Sequence, residues 1–177
     1  MALDAQIKGQ LAQYLQLLES DVVLQAQLGD DENSQKVRDF LEEIAAMSER
    51  ISIAPANLSR TPSFKIAKQG QESGVEFAGL PLGHEFTSFV MALLQVSGRP
   101  PKIEDDLAAR IKAIQKPLHL ETYVSLTCHN CPDVVQAFNI MAVLNPNISH
   151  TMVESGMFQE EVESKKIMSV PAVFHDG

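Results

Sequence analysis

Three shortages set the first limits on this chain of 177 residues. No run of about 18 apolar residues occurs, which excludes a transmembrane helix. Basic residues are scarce: 14 Lys and Arg stand against 23 Asp and Glu, for a formal net charge of -9. Nucleic acid and anionic membrane surfaces recruit basic patches, so neither is expected as a partner. Dividing the chain at residue 115 leaves both parts acidic, so no basic half is hidden by the average. Cysteine occurs only at Cys128 and Cys131, and a bridge between residues three apart closes too short a loop to stabilise a fold much. The N-terminal segment lacks a cleavable signal pattern, and the expected location is the cytoplasm, where such a pair is catalytic or metal-binding more often than structural.

What is present is ordinary globular composition, 45% hydrophobic and 21% charged, in a length that suits one large domain or two small ones. Ile7, Leu11, Tyr14, Leu15 and Leu18 predict an amphipathic helix, and Val22, Val23 and Leu24 begin a strand ending near Gly29. Val37, Phe40, Leu41 and Ile44 mark a second helix, and Ile51 and Ile53 a short strand. Phe64 and Ile66, then Val75 and Phe77, predict a hairpin around Gly70 and Gly74. Phe86, Phe89, Val90, Leu93 and Leu94 form a helix ending at Ser97-Gly98. Pro100-Pro101 is expected to open a helix carrying Ile103, Leu107, Ile111 and Ile114. A strand over 148–153, a short helix over 158–164 and a strand over 171–174 complete the pattern. Met91, Met141, Met152 and Met168 fall in apolar stretches and read as core filling.

The cysteines lie at a junction of two periods. Leu118, Leu120, Thr122, Val124 and Leu126 share one face of a strand before Cys128. Val134, Ala137, Phe138, Met141 and Ala142 recur at helical spacing after Cys131. A sulfur at a helix N-terminus meets unpaired N–H groups and the positive end of the dipole, which favour thiolate, the species that attacks disulfides. Redox chemistry is therefore expected. Zinc is the other reading of two thiolates, but His84, His119, His129, His150 and His175 are scattered without the close pairing that structural zinc sites use.

Both halves read helix, strand, helix, strand, then a proline just before a strand: Thr61-Pro62-Ser63-Phe64 in one, Val170-Pro171-Ala172-Val173 in the other. That repetition points to a diverged internal duplication of an α/β unit with the element order of a thioredoxin fold. In that fold a cis-proline loop faces the C-x-x-C, and Val170-Pro171 is the candidate. The second half stops at Asp176-Gly177, where a hairpin turn would begin, and reads as truncated at its C-terminus. The units are expected at 1–99 and 100–177.

Several blocks carry a resemblance: Pro81-Leu82-Gly83-His84-Glu85-Phe86-Thr87-Ser88, Glu121-Thr122-Tyr123, the run Cys128-His129-Asn130-Cys131-Pro132-Asp133-Val134-Val135-Gln136-Ala137, Val143-Leu144-Asn145-Pro146, and Val170-Pro171-Ala172-Val173-Phe174. Together they resemble the N-terminal domain of the flavoprotein (F) subunit of bacterial alkyl hydroperoxide reductase. The resemblance implies two fused thioredoxin-like folds in tandem sharing one sheet, with only the second redox-active. It implies electrons passing from NADH to FAD, through a second C-x-x-C in a flavin-binding reductase part of the full-length chain, to Cys128–Cys131 and on to the disulfide of a peroxiredoxin partner. No G-x-G-x-x-G follows a predicted strand, so no dinucleotide site is expected here; FAD and NADH belong to the part that is missing.

On that resemblance Cys128 is the attacking thiolate and Cys131 resolves the mixed disulfide, leaving a redox-active Cys128–Cys131 disulfide. A free thiol titrates near ~8.5, and such placements lower it to roughly 3.5–7.5. His129 either tunes the sulfurs as a nearby cation or is only an exposed side chain. Glu85, at a helix start, is by itself a dipole-compensating carboxylate; the resemblance adds a glutamate that reaches the redox pair and tunes it or moves a proton. Pro171 is the substrate-loop cis-proline, against the plainer reading of a strand-start proline. Thr127 is placed to donate a hydrogen bond to a sulfur. A general thioredoxin- or glutaredoxin-like reductase is the alternative, weakened because neither W-C-G-P-C nor C-P-Y-C occurs; a non-catalytic docking module is the other.

Overall fold

The computed structural model of the protein describes residues 3–176. Among them the first half comprises α1 (Ala5–Leu15), β1 (Val22–Gln27), α2 (Glu32–Ala46), β2 (Ile51–Pro55), β3 (Ser63–Lys68), β4 (Val75–Ala78) and α3 (Phe86–Ser97). The second comprises α4 (Asp105–Lys112), β5 (Leu118–Val124), α5 (Cys131–Leu144), β6 (Ile148–Glu154), α6 (Gln159–Ser164) and β7 (Ala172–His175).

All the strands join one seven-stranded mixed sheet in the order β2-β1-β3-β4-β6-β5-β7. In the first half β1 lies between parallel β2 and antiparallel β3; in the second β5 lies between parallel β6 and antiparallel β7. The two halves therefore repeat one pairing scheme, the thioredoxin-like α/β arrangement, and the parallel pair β4–β6 fuses them. Each parallel pair in a half is connected through a helix, α2 or α5, as parallel strands require.

Period-2 alternation decides which face of the sheet becomes core. Val22, Leu24, Phe64, Ile66, Phe77 and Met152 are inaccessible or nearly so and belong to one continuous cluster. Phe89 of α3 sits at its centre, with ring centroids 5.0 Å from Phe40, 5.9 Å from Phe64 and 6.0 Å from Phe77. Such edge-on pairs add about 0.5–1.5 kcal/mol each beyond area burial. A smaller cluster of Ala78, Tyr123 and Val153 is covered by Phe158, Val162, Ile167 and Phe174.

Three expectations are corrected. The helix after Pro100-Pro101 starts only at Asp105, behind an extended Glu104, so Ile103 and Ile114 flank it rather than ride on it. The buried stripe of α5 is Cys131, Val135, Asn139 and Ala142; of the expected residues only Ala142 belongs to it, and Ala137 is exposed. The polar Asn139 hid that stripe from an apolar count. Met168 is 94% exposed, so it fills no core. The end of β5 also departs from alternation: Thr122, Tyr123 and Val124 are all buried, because both faces are covered there.

Asn139 is buried for a reason. Its Oδ1 lies 2.8 Å from His150 Nδ1, and Thr122 Oγ1 lies 2.8 Å from His150 Nε2. His150 is fully buried, and that burial pushes its pKa down to about 3, so the ring is neutral with both nitrogens paired. Stability from a group depressed on folding is complete above its unfolded value, near 6.5, and is lost as pH falls toward the folded one. We expect the denaturation midpoint to drop between pH 6.5 and about 3, and His150→Gln to flatten that slope. An equal slope in the variant would assign the acid loss to other groups.

Candidate redox site

Pro132 is tolerated only in the first turn of a helix, and α5 accordingly begins at Cys131. The second cysteine, rather than the first, thus opens the helix, and Cys128 stands in the preceding loop, its N–H donating to Ser125 O at 3.1 Å. Where α1 and α2 have Asp4 and Asp31 as side-chain caps, the cap residue of α5, Asn130, provides none. A sulfur takes that place: the Cys131 N–H donates to Cys128 Sγ at 3.2 Å. The two cysteines are joined in a disulfide with Cα atoms 5.6 Å apart. Cys131 is fully buried and Cys128 half-buried, so Cys128 is the more accessible residue of the pair.

The opposite wall is the Val170–Pro171 loop, whose peptide bond is cis, with the Val170 carbonyl oxygen 3.9 Å from Cys128 Sγ. The Thr61–Pro62 bond is cis as well, in the first half. There Asp31 and Ser34 hold the same i, i+3 relation at the start of α2: the Ser34 N–H donates to Asp31 Oδ2 at 3.1 Å, and its hydroxyl donates to Oδ1 at 2.6 Å. A carboxylate cap thus occupies the place that sulfur takes in the second half.

A third wall comes from the first half. The His84 N–H donates to Leu126 O at 2.9 Å, docking the turn before α3 on the turn before α5. Gly83 permits this approach, since its φ is +57° and a Cβ there would lie 2.7 Å from Leu126 O. The His84 and His129 rings meet with centroids 4.5 Å apart. The sequence pattern marked His129 but missed His84 as its neighbour, because the pairing exists only across the docked turns.

Glu85 is fully buried and gives α3 no backbone cap, so dipole compensation at the surface does not describe it. Its Oε1 accepts from the Ser88 hydroxyl at 2.7 Å, and Ser88 Oγ accepts from Gln136 of α5 at 3.2 Å. The other carboxyl oxygen has no hydrogen-bond partner among the described residues. Burial pushes the carboxyl above its ordinary value, with the Ser88 hydrogen bond opposing in part. Thr127 pairs with Ser125 Oγ at 3.1 Å rather than with a sulfur. Among the described residues no group of three or more His, Cys, Asp or Glu is arranged to hold a metal ion.

A disulfide capping a helix, set across from a cis-proline in this topology, defines a thioredoxin-type disulfide domain. The thioredoxin domain family model matches residues 118–177. The chain is 33% identical to the NTD_N/C domain of alkylhydroperoxide reductase AhpF from Enterococcus faecalis, at a TM-score of 0.91, over 99% of this chain and 91% of that one. It is also 54% identical over 99% of its length to the alkyl hydroperoxide reductase F subunit of Staphylococcus epidermidis, and 55% identical over its whole length to a protein of Bacillus subtilis named NADH dehydrogenase. The chain belongs to the family of AhpF N-terminal domains, those of the alkyl hydroperoxide reductase F subunits. It spans about a third of the length of these curated relatives, 34% and 35%.

An acid whose pKa is raised on folding contributes stability below its unfolded value, near 4.5, and loses it as pH rises through the folded value. Glu85→Gln should therefore raise the denaturation midpoint at pH 7, and the gain should vanish below pH 4.5. A gain that persists at low pH would mean that carboxylate burial is not its source.

Proposed function

We propose that this domain is a dithiol–disulfide relay between a flavin-dependent reductase part of a longer chain and the disulfide of a peroxiredoxin. The supporting observation is the asymmetry of the pair: Cys128 is half-exposed beside the Val170 carbonyl, while Cys131 is sealed in the core. In the reduced state Cys128 thiolate, favoured by the Cys131 N–H and the α5 dipole, attacks one sulfur of the partner disulfide. A Cys128–S–S–partner bond forms and the other partner sulfur leaves as thiolate. Cys131 thiolate then attacks Cys128 Sγ, which closes the internal disulfide and releases the second partner sulfur. Two electrons pass to the partner, and its two thiolates accept protons according to their pKa values.

The remaining residues act around that exchange. The backbone edge before Pro171 aligns the peptide bearing the partner disulfide. Glu85, its carboxyl held above the ordinary range, is assigned proton transfer to or from the pair, and His129 tuning of the thiolate. Residues 1–99 serve as the redox-inactive unit and 100–177 as the redox-active one. FAD and NADH act in the part of the longer protein outside this chain, a reading in keeping with the name of the Bacillus relative.

The test uses reduced protein mixed separately with oxidised peroxiredoxin and with insulin, following thiol loss at Cys128. Fast reaction with the peroxiredoxin alone is expected; equal rates point to a general reductase, and no reaction with either to a docking module. Cys131→Ser should accumulate a Cys128–peroxiredoxin mixed disulfide, seen by mass spectrometry, and label on the other cysteine in the converse variant would invert the roles. Glu85→Gln should shift the Cys128 titration, and an unchanged curve would remove Glu85 from the mechanism.

A further inference from the structure

The helix that leads to the Val170–Pro171 loop has little apolar anchorage. None of the residues of α6 is fully buried, and only Val162, with flanking Phe158 and Ile167, packs on the small cluster around Tyr123. A helix of a turn and a half is unstable on its own. Its anchor is ionic and comes from the other half. Arg60, in the loop before Thr61–Pro62, donates from Nε to both Glu161 oxygens at 2.8 and 3.1 Å and from Nη2 to Oε1 at 2.9 Å. Nη2 also reaches Glu121 of β5 at 2.6 Å, and the Tyr123 hydroxyl donates to Glu161 Oε1 at 2.6 Å.

This cluster is partly desolvated, since the Arg60 side chain is only 11% exposed. Burial opposes its charge, but the bonds to Glu161 and Glu121 outweigh that cost, and the guanidinium is held above its ordinary value. A planar fork saturates two carboxylates in a way that an ammonium cannot. The anchor is itself fixed, because the Arg60 carbonyl accepts from the Ser63 hydroxyl of β3 at 2.5 Å. From Glu161 the contacts run on to the redox site. Its carbonyl accepts from Lys165 N at 2.9 Å, Val162 O accepts from Ile167 N at 3.0 Å, and Val170 packs on the same cluster beside Cys128.

We infer that Arg60, supplied by the cysteine-free half, is a positioning residue for the Cys128–Cys131 site. By pinning Glu161 it sets α6, and with α6 the Val170–Pro171 edge along which a disulfide-bearing peptide aligns. The inference rests on the relay reading and gives the first half a task in substrate alignment. Arg60 touches neither sulfur nor substrate, so its loss should affect only substrates that use the backbone edge.

The pre-reduced protein is mixed with a disulfide-linked peptide dimer and, separately, with the small aromatic disulfide 5,5′-dithiobis(2-nitrobenzoate). Arg60→Met should slow the peptide reaction roughly tenfold or more while leaving the small disulfide within about twofold. Arg60→Lys should recover part of the loss. Hydrogen exchange over 159–171 should quicken in Arg60→Met while the sheet keeps its protection. Should Arg60→Met not fold, Glu161→Gln decides, with the same selectivity expected. Equal slowing of both substrates, no slowing of either, or unchanged exchange over 159–171 overturns the inference. Wild-type protein inert toward both disulfides would overturn the relay reading instead, and the exchange comparison would still report on Arg60.

Discussion

The parallel pairing of β4 with β6 is the contact on which the rest of the molecule depends. Through it Phe77 meets Met152 and Ala78 meets Val153, so two similar α/β units share one sheet and one core. Without that register the turn carrying His84 and Glu85 would have no Leu126 to dock on, and Arg60 would have no Glu161 to hold. The wall carrying His84 and Glu85 is thus brought to the redox pair by a backbone ladder between the halves, while β7, paired with β5, places the Val170–Pro171 wall.

Much of this was legible in the letters. The spacing of Phe64 and Ile66, and the helical spacing of Phe89, Val90 and Leu93, mark residues that the structure buries. The prolines before β3 and β7 marked the repeat because each precedes a strand in the same pairing scheme. One group of misses shares a cause. Asn139 and His150 are polar residues buried by tertiary hydrogen bonding, and a reading that equates buried with apolar passes over them; Glu85 is legible as a candidate, but its full burial is not. Arg60 carries no signal in the sequence, since its partners are a strand residue and a helix residue of the other half. Hydrophobic periodicity says which face is inside but not which polar side chain will meet which.

The redox pair also shows how the local pairing of hydrogen bonds becomes chemistry. Every helix start leaves N–H groups unpaired, and most chains answer with an Asp, Ser or Thr. α2 follows that rule through Asp31, whereas α5 leaves the place to a sulfur. A group that stabilises a helix best when negatively charged is also one whose deprotonated form is favoured there. Capping and thiolate activation are then one interaction seen from the fold and from the reaction.

The Asp31–Ser34 cap in the first half has a further consequence. A carboxylate has no second oxidation state to offer, so that end of the sheet can store nothing. With cysteines at only two positions, the domain holds a single electron pair at any moment. It cannot act as a reservoir that smooths supply against demand. On the proposed relay, each electron pair it accepts must be handed on before the next arrives, and throughput would be set by the slower of donor and acceptor.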